Sequence, residues 1–165
     1  SNTRKYHGLL VAPIEELNGD NHVILSTLDE TIVKQKESFN LGIHKYPGIY
    51  EPRGHKYITN FKYEPTPTIT YQVGNVTLKK ELLLLHYDEH LLIRYTVLDA
   101  QSSIKLRLKP FLAFRQIHKL SKANMFANTK YKTVANGISS KLYAGFPTLF
   151  MQLDKKNEFV PTPDW

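Results

Sequence analysis

The chain has 165 residues, 41% of them hydrophobic, and carries 22 Lys and Arg against 15 Asp and Glu, a net charge of +7. That length suits one folded domain with a real core, and the composition is globular rather than disordered. The absence of cysteine excludes disulfides and thiolate chemistry, and no apolar run approaches the roughly 20 residues that cross a bilayer.

The excess of positive charge invites a nucleic-acid reading. Its distribution argues against one. Lys105, Arg107 and Lys109 alternate with Ile104, Leu106 and Leu108, which places the charges on one solvated face of a strand. No nucleic-acid partner and no membrane partner is expected. The polar start lacks a basic segment followed by an apolar one, so a signal peptide is not expected either, and the location expected is cytoplasmic. The start is also abrupt, which reads as a piece of a longer chain.

The opening stretch is polar through Asn2-Thr3-Arg4-Lys5-Tyr6-His7 and apolar from Leu9 to Ala12, stopped by Pro13. This is a loop feeding a buried strand. A turn rich in Asn, Asp and Gly follows over 15–21. His22–Leu28 reads as a strand, Asp29-Glu30 as an interruption, and Thr31–Val33 as the start of the return strand of a hairpin. From Phe39 to Pro67 the chain is aromatic and broken by Pro and Gly too often for a helix. Within it only Lys56–Tyr63 resembles a strand.

The second half is clearer. Thr68–Val73 meets Val76–Leu78 across Gly74-Asn75, a two-residue hairpin signal. Leu82–Leu85 is apolar at every position and reads as covered on both faces. His90–Leu98 is a further strand. Pro110 marks a bend or an edge, after which Phe111–Phe114 continues. Ile138–Tyr143 and Thr148–Leu153 complete the strands, and Gln116–Ala127 is a weak helix candidate. Many short strands separated by turns predict an all-β fold, a β-sandwich with short helical or irregular insertions, in one domain over 1–165.

Catalytic signatures are sparse. There is no Gly-x-Ser-x-Gly elbow, no phosphate loop and no dinucleotide fingerprint. His86 and His90 flank a turn rather than share a helix face, so no metal is expected, and no cofactor. Asp29, Glu30, Glu51, Glu64 and Glu81 are available as glycosidase carboxylates, but nothing in their spacing selects a pair. Glu81, between Lys80 and Leu82, reads as a salt-bridge partner. Two clusters set Arg and His beside an apolar strand: Arg4, Tyr6 and His7 at the start, and Arg115 and His118 later. Each can pin a loop or present donors to a ligand. Tyr-rich surfaces suit sugar stacking, since an aromatic face packs on C–H groups while the hydroxyl stays wet, but they also suit the cores and edges of a β-sandwich.

Several of these stretches together resemble the N-terminal domain of bacterial and archaeal glycogen debranching enzymes. They are Asn2 to Ala12, Leu25 to Glu30, Tyr46-Pro47-Gly48 through Gly54-His55, Phe61 with Pro65 and Pro67, Lys79-Lys80-Glu81, and Leu108-Lys109-Pro110 through Arg115-Gln116-Ile117-His118. The family usually carries an acidic residue where Gln116 stands, so any role of that carboxylate is absent here. The resemblance implies a supersandwich of the galactose-mutarotase-like kind, followed in the family by an (α/α)6-barrel that holds the hydrolytic acids. The complete enzymes remove α-1,6 branches from glycogen-like glucans, some with 4-α-glucanotransferase activity as well. By this resemblance the chain is non-catalytic, and its partners are an α-glucan (glycogen or a maltooligosaccharide) and the barrel. Arg4, Tyr6, His7, Tyr46, Tyr50, Arg115 and His118 become candidates for a glucan- or barrel-facing surface. A homodimer of the isolated domain is a further expectation. The alternative is a stand-alone carbohydrate- or polyanion-binding sandwich.

Overall fold

The computed structural model describes residues 5–85, 88–122 and 124–163. It is all-β and sandwich-like, built from antiparallel sheets. The strands are β1 (Leu10–Ile14), β2 (Asp20–Lys34), β3 (Glu37–Asn40), β4 (Ile43–Tyr46), β5 (Ile49–Arg53), β6 (Ile58–Lys62), β7 (Thr68–Val73) and β8 (Val76–Leu84). They continue as β9 (Leu91–Ala100), β10 (Lys105–Gln116), β11 (Tyr131–Val134), β12 (Gly137–Ser140) and β13 (Leu149–Gln152). Short 3-10 turns cover Glu15–Leu17 and Gly54–Tyr57. One sheet has the order β1-β2-β10 with β3 also paired to β2, a second runs β6-β7-β8-β9, β4 pairs β5, and the last is β11-β12-β13.

Contacts divide the chain into two compact units, one containing 1–10 and 25–112, the other 11–24 and 113–165. The first unit has the larger core. Ile32 of β2, Leu41, Tyr71 and Val73 of β7, and Val76 and Leu78 of β8 are buried together, and Phe39, Ile69, Tyr95, Ala100, Ile104 and Leu106 pack against them. Apart from Leu41 and Ile104, which lie just outside the strands, these residues come from two sheets packed face to face, the arrangement of a sandwich. Alternation decides which side chains enter. Val76, Leu78 and Lys80 of β8 are buried, while Thr77 and Lys79 between them are less so. The β7–β8 hairpin turns at Gly74-Asn75 as its sequence predicts, with Val73 opposite Val76.

In the second unit Phe146 gathers three aromatic rings. Its centroid lies 5.3 Å from His22, 5.5 Å from Phe114 and 6.2 Å from Tyr143. Phe114 and Val23 are almost wholly buried. Strand β12 pairs with β11 on one side and β13 on the other.

Four expectations need correction. Asp29-Glu30 does not interrupt a strand: β2 runs unbroken for 15 residues through it, because both carboxylates find partners inside the fold. The hairpin turn therefore lies further on, at Gln35-Lys36, where Lys34 pairs with Glu37 and Gln35 has φ +54. Leu83 and Leu84 are exposed rather than covered on both faces. The stretch Gln116–Ala127 is not a helix: β10 takes Gln116, and turns and bends follow among its described residues. Finally, the aromatic middle segment is more regular than its Pro and Gly content suggests, since β4 and β5 form a hairpin with Tyr46 opposite Ile49. Pro110 sits within β10, at the edge of its sheet, where a missing N–H is tolerated.

Candidate functional site

The chemistry of the first unit starts from two adjacent carboxylates. Successive residues of a strand point to opposite faces, so Asp29 and Glu30 of β2 reach different surroundings. Both are almost fully buried, at 5% and 2% exposure. A buried charge must be paired and hydrogen-bonded. Glu30 Oε1 accepts from Lys80 Nζ at 2.5 Å and from the Tyr95 hydroxyl at 2.6 Å. Asp29 Oδ2 accepts from His44 Nε2 at 2.8 Å, and the His44 ring lies 5.0 Å from that of Phe111. Burial, and then the charge of Glu30, push the hydroxyls of Tyr71 and Tyr95 above the usual phenol range. Neither carboxylate is left to act as an acid or base.

The same two residues fix the segment that follows β3. Leu41 N donates to the Glu30 carbonyl at 2.7 Å, and Gly42 N donates to Asn40 Oδ1 at 2.7 Å. Gly42 is glycine because a Cβ there would stand 2.5 Å from Asp29 Oδ1. Gly54 N donates to the Gly42 carbonyl at 2.8 Å, and a Cβ on Gly54 would meet the Leu41 carbonyl at 2.0 Å. Two strands' ends are thus pressed backbone to backbone. Between them opens a groove of about 420 Å³, lined by Ser38, Phe39, Asn40, Glu51, Pro52, Arg53, Lys56 and Tyr57.

The second unit has a smaller hollow of about 190 Å³ lined by Gly19, Asp20, Asn21, Gln116, Ile117 and His118. There Gln116 Nε2 donates to Asp20 Oδ2 at 3.0 Å, and Ile117 N donates to the Asn21 carbonyl at 3.0 Å.

The family model described as glycogen debranching enzyme N terminal matches residues 1–165. The chain belongs to that family. No curated protein and no solved structure matches it.

In this debranching-enzyme N-terminal chain the candidate residues read from the sequence fall into both units. Tyr6, His7, Tyr46 and Tyr50 belong to the first unit, Arg115 and His118 to the second, and Arg4 lies outside the described residues. Tyr6 is exposed, with the Lys5 ammonium 5.3 Å from its ring centroid. His7 is half-buried. Burial first, then neighbouring positive charge including Lys80, pulls its imidazole below the ordinary histidine range. Tyr46 and Tyr50 are both exposed. In the β4–β5 register Lys45 faces Tyr50 and Tyr46 faces Ile49. Paired residues share a face, so the two tyrosines lie on opposite faces of the hairpin and do not form one platform. Arg115 Nη1 donates to the Lys119 carbonyl at 2.9 Å and so pins the loop after β10; partial burial lowers its pKa. Among the carboxylates weighed from the sequence, Glu81 forms an ion pair with Lys79 at 3.1 Å. His90 Nδ1 donates to Asp88 at 2.6 Å on an exposed turn; His86 lies outside the described residues.

Sequence reasoning missed the groove. Its walls come from β3 on one side and from β5 and the 3-10 turn after it on the other, and no single motif spans both. Pro52-Arg53-Gly54-His55 lies within the aromatic, Pro- and Gly-broken stretch from Phe39 to Pro67. The available signal was Gly54, since an isolated glycine beside a β-prone run marks close backbone approach.

Proposed function

We propose that this chain is a non-catalytic β region of a glycogen debranching enzyme, one that holds α-glucan and packs against an (α/α)6-barrel supplying the hydrolytic acids. The parent enzyme in this reading is a cytoplasmic α-1,6-glucosidase of glycogen catabolism, with or without a 4-α-glucanotransferase activity. The family match over the whole of 1–165 carries the reading. The state of the β2 carboxylates supports it. A glycosidase acid must reach the glycosidic oxygen, and its partner carboxylate must stand about 5–10 Å away, open to water or sugar. Asp29 and Glu30 are buried and bonded to His44, Lys80 and Tyr95 instead. Their work is to hold the sandwich together.

Tyr6, Tyr46 and Tyr50 are aromatic candidates, and Arg4, His7, Arg115 and His118 polar ones, for surfaces that face a glucan or the barrel. Sugar binding to a single open surface is weak, because hydroxyl groups must leave water and be re-paired.

The deciding assay incubates the chain with a branched α-glucan, alone and together with a barrel domain of the same family. The expected result is no release of α-1,6-linked glucose by the chain alone. Hydrolysis by the chain alone would overturn the non-catalytic reading. Retention on heparin that falls steeply with salt, without any response to maltooligosaccharide, would favour the polyanion-binding alternative.

A further inference from the structure

We infer that the groove between β3 and the end of β5 with its following 3-10 turn is a binding site for pyranose units of an α-glucan, an inference that rests on the glucan-holding reading above. The volume of about 420 Å³ lies within the range of small-molecule sites, about 300–1,000 Å³. The lining has the two kinds of surface that a sugar presents. Phe39 and Tyr57 meet edge to face, with ring centroids 6.3 Å apart, and supply apolar area for the C–H groups of a sugar ring. Asn40, Glu51 and Arg53 supply the polar groups.

Asn40 Oδ1 already accepts from Gly42 N, but the two charged groups are open to a ligand. Arg53 Nε stands 3.8 Å from Glu51 Oε2, beyond hydrogen-bond range, and both side chains are 60% exposed. A guanidinium with only donors beside a carboxylate with only acceptors matches vicinal hydroxyls, each of which can both donate and accept. The pair is a poorer match for a phosphate or sulfate, because Glu51 would repel the anion that Arg53 attracts. Lys56 also lines the groove, its ammonium 4.9 Å from the Tyr57 ring centroid, so it is the carboxylate of Glu51, rather than the summed charge, that disfavours an anion. The walls are also fixed before any ligand arrives. Leu41 N on the Glu30 carbonyl ties one rim to β2, and Gly54 N on the Gly42 carbonyl ties the other rim to the first; such pre-organisation reduces the entropy lost on binding.

The experiment is an NMR shift titration of the ¹⁵N-labelled chain with maltoheptaose, wild type against Glu51→Gln, Arg53→Ala and the double variant. Lys132→Ala, on β11, is the control. Both groove positions are exposed, so the variants keep the fold, and a thermal melt checks this. Wild-type shifts are expected to concentrate at 38–40 and 51–57. The double variant is expected to bind at least about tenfold more weakly, the loss of one hydrogen bond to a charged group or more. Shifts that cluster elsewhere, with unchanged binding by the variants, would overturn the groove assignment and leave the glucan-holding reading standing. No wild-type response to tens of millimolar sugar, as an order of magnitude set by weak carbohydrate binding, would overturn both.

Discussion

The Lys80 ammonium and the Glu30 carboxylate meet at 2.5 Å across the core of the first unit, with side chains 8% and 3% exposed. Neither charge has water to fall back on, so each depends on the other, and Glu30 also on the Tyr95 hydroxyl that donates to it. Removing one partner strands the other. Lys80→Met is expected to destabilise the chain by about 3–5 kcal/mol, whereas the double replacement Glu30→Leu with Lys80→Met should cost far less than the sum of the singles. Urea unfolding of the three variants measures this. Additive losses would mean that the pair contributes no coupling.

The same cluster predicts alkaline sensitivity. Tyr71 and Tyr95 start from an ordinary pKa of 10.0, and burial beside Glu30 raises both in the folded state. The unfolded chain therefore loses these protons first as pH rises. Their contribution to stability is whole below about pH 10 and is lost progressively above it. Urea midpoints measured from pH 8 to 11 should fall at the top of that range. Tyr95→Phe, which cannot ionise, should flatten the fall while lowering stability at neutral pH.

His7 works in the opposite direction. Its folded pKa lies below the ordinary 6.5, through burial and then nearby positive charge. The unfolded chain takes up this proton first as pH falls. The contribution is whole above about pH 6.5 and is lost as pH drops through the lower folded value. His7→Asn should therefore flatten the decline in melting temperature on the acid side of 6.5. An unchanged acid slope in the variant would show that His7 is not the group responsible.

Local chemistry was legible in the sequence where the partners are close in the chain. The pairing of Val73 with Val76 across Gly74-Asn75 follows from four residues. The role of Asp29-Glu30 does not, because its partners His44, Lys80 and Tyr95 stand 15, 50 and 65 positions away. Two adjacent acids in a β-prone run look like a break until their partners are known. Strand β11 was missed for a different reason. Its four residues are mostly exposed and carry no alternation to detect. Leu82–Leu85 misled in the other direction, since apolar character at every position says nothing about whether a second layer reaches the end of the strand. The family resemblance was legible because it needs only the order of motifs, not their contacts.

Tyr46 and Tyr50 illustrate how register limits a sequence argument. Four positions apart in sequence, each was a candidate platform for a sugar. The hairpin places them on opposite faces, so a single ligand ring cannot stack on both. Tyr46→Ala and Tyr50→Ala are each expected to change stability by about 0.5 kcal/mol or less, as exposed substitutions do, with the double variant additive within about 0.5 kcal/mol. In maltoheptaose titrations at most one of the two should weaken binding. A strong non-additive loss of binding would require the two rings to act together, against the register.

Gly54 and Gly42 give the sharpest test of how the groove is held. Both lack room for a side chain, but the obstacles differ. A Cβ on Gly54 would meet the Leu41 carbonyl carbon and oxygen at 2.0 Å, whereas one on Gly42 would meet the carboxylate tip of Asp29 at 2.5 Å. A backbone carbonyl already fixed by Leu41 N on Glu30 cannot step aside, while a carboxylate can rotate if it gives up its hydrogen bond to His44. Gly54→Ala is expected to cost about 1–3 kcal/mol or more, the range for forced overpacking, and Gly42→Ala less. The two should also differ in kind. Gly42→Ala should move the ring resonances of His44 and leave the groove able to bind maltoheptaose. Gly54→Ala should separate the groove's walls and weaken that binding. Equal losses of stability, with no change at His44, would mean that the close approach of these two glycines does not hold the groove in place.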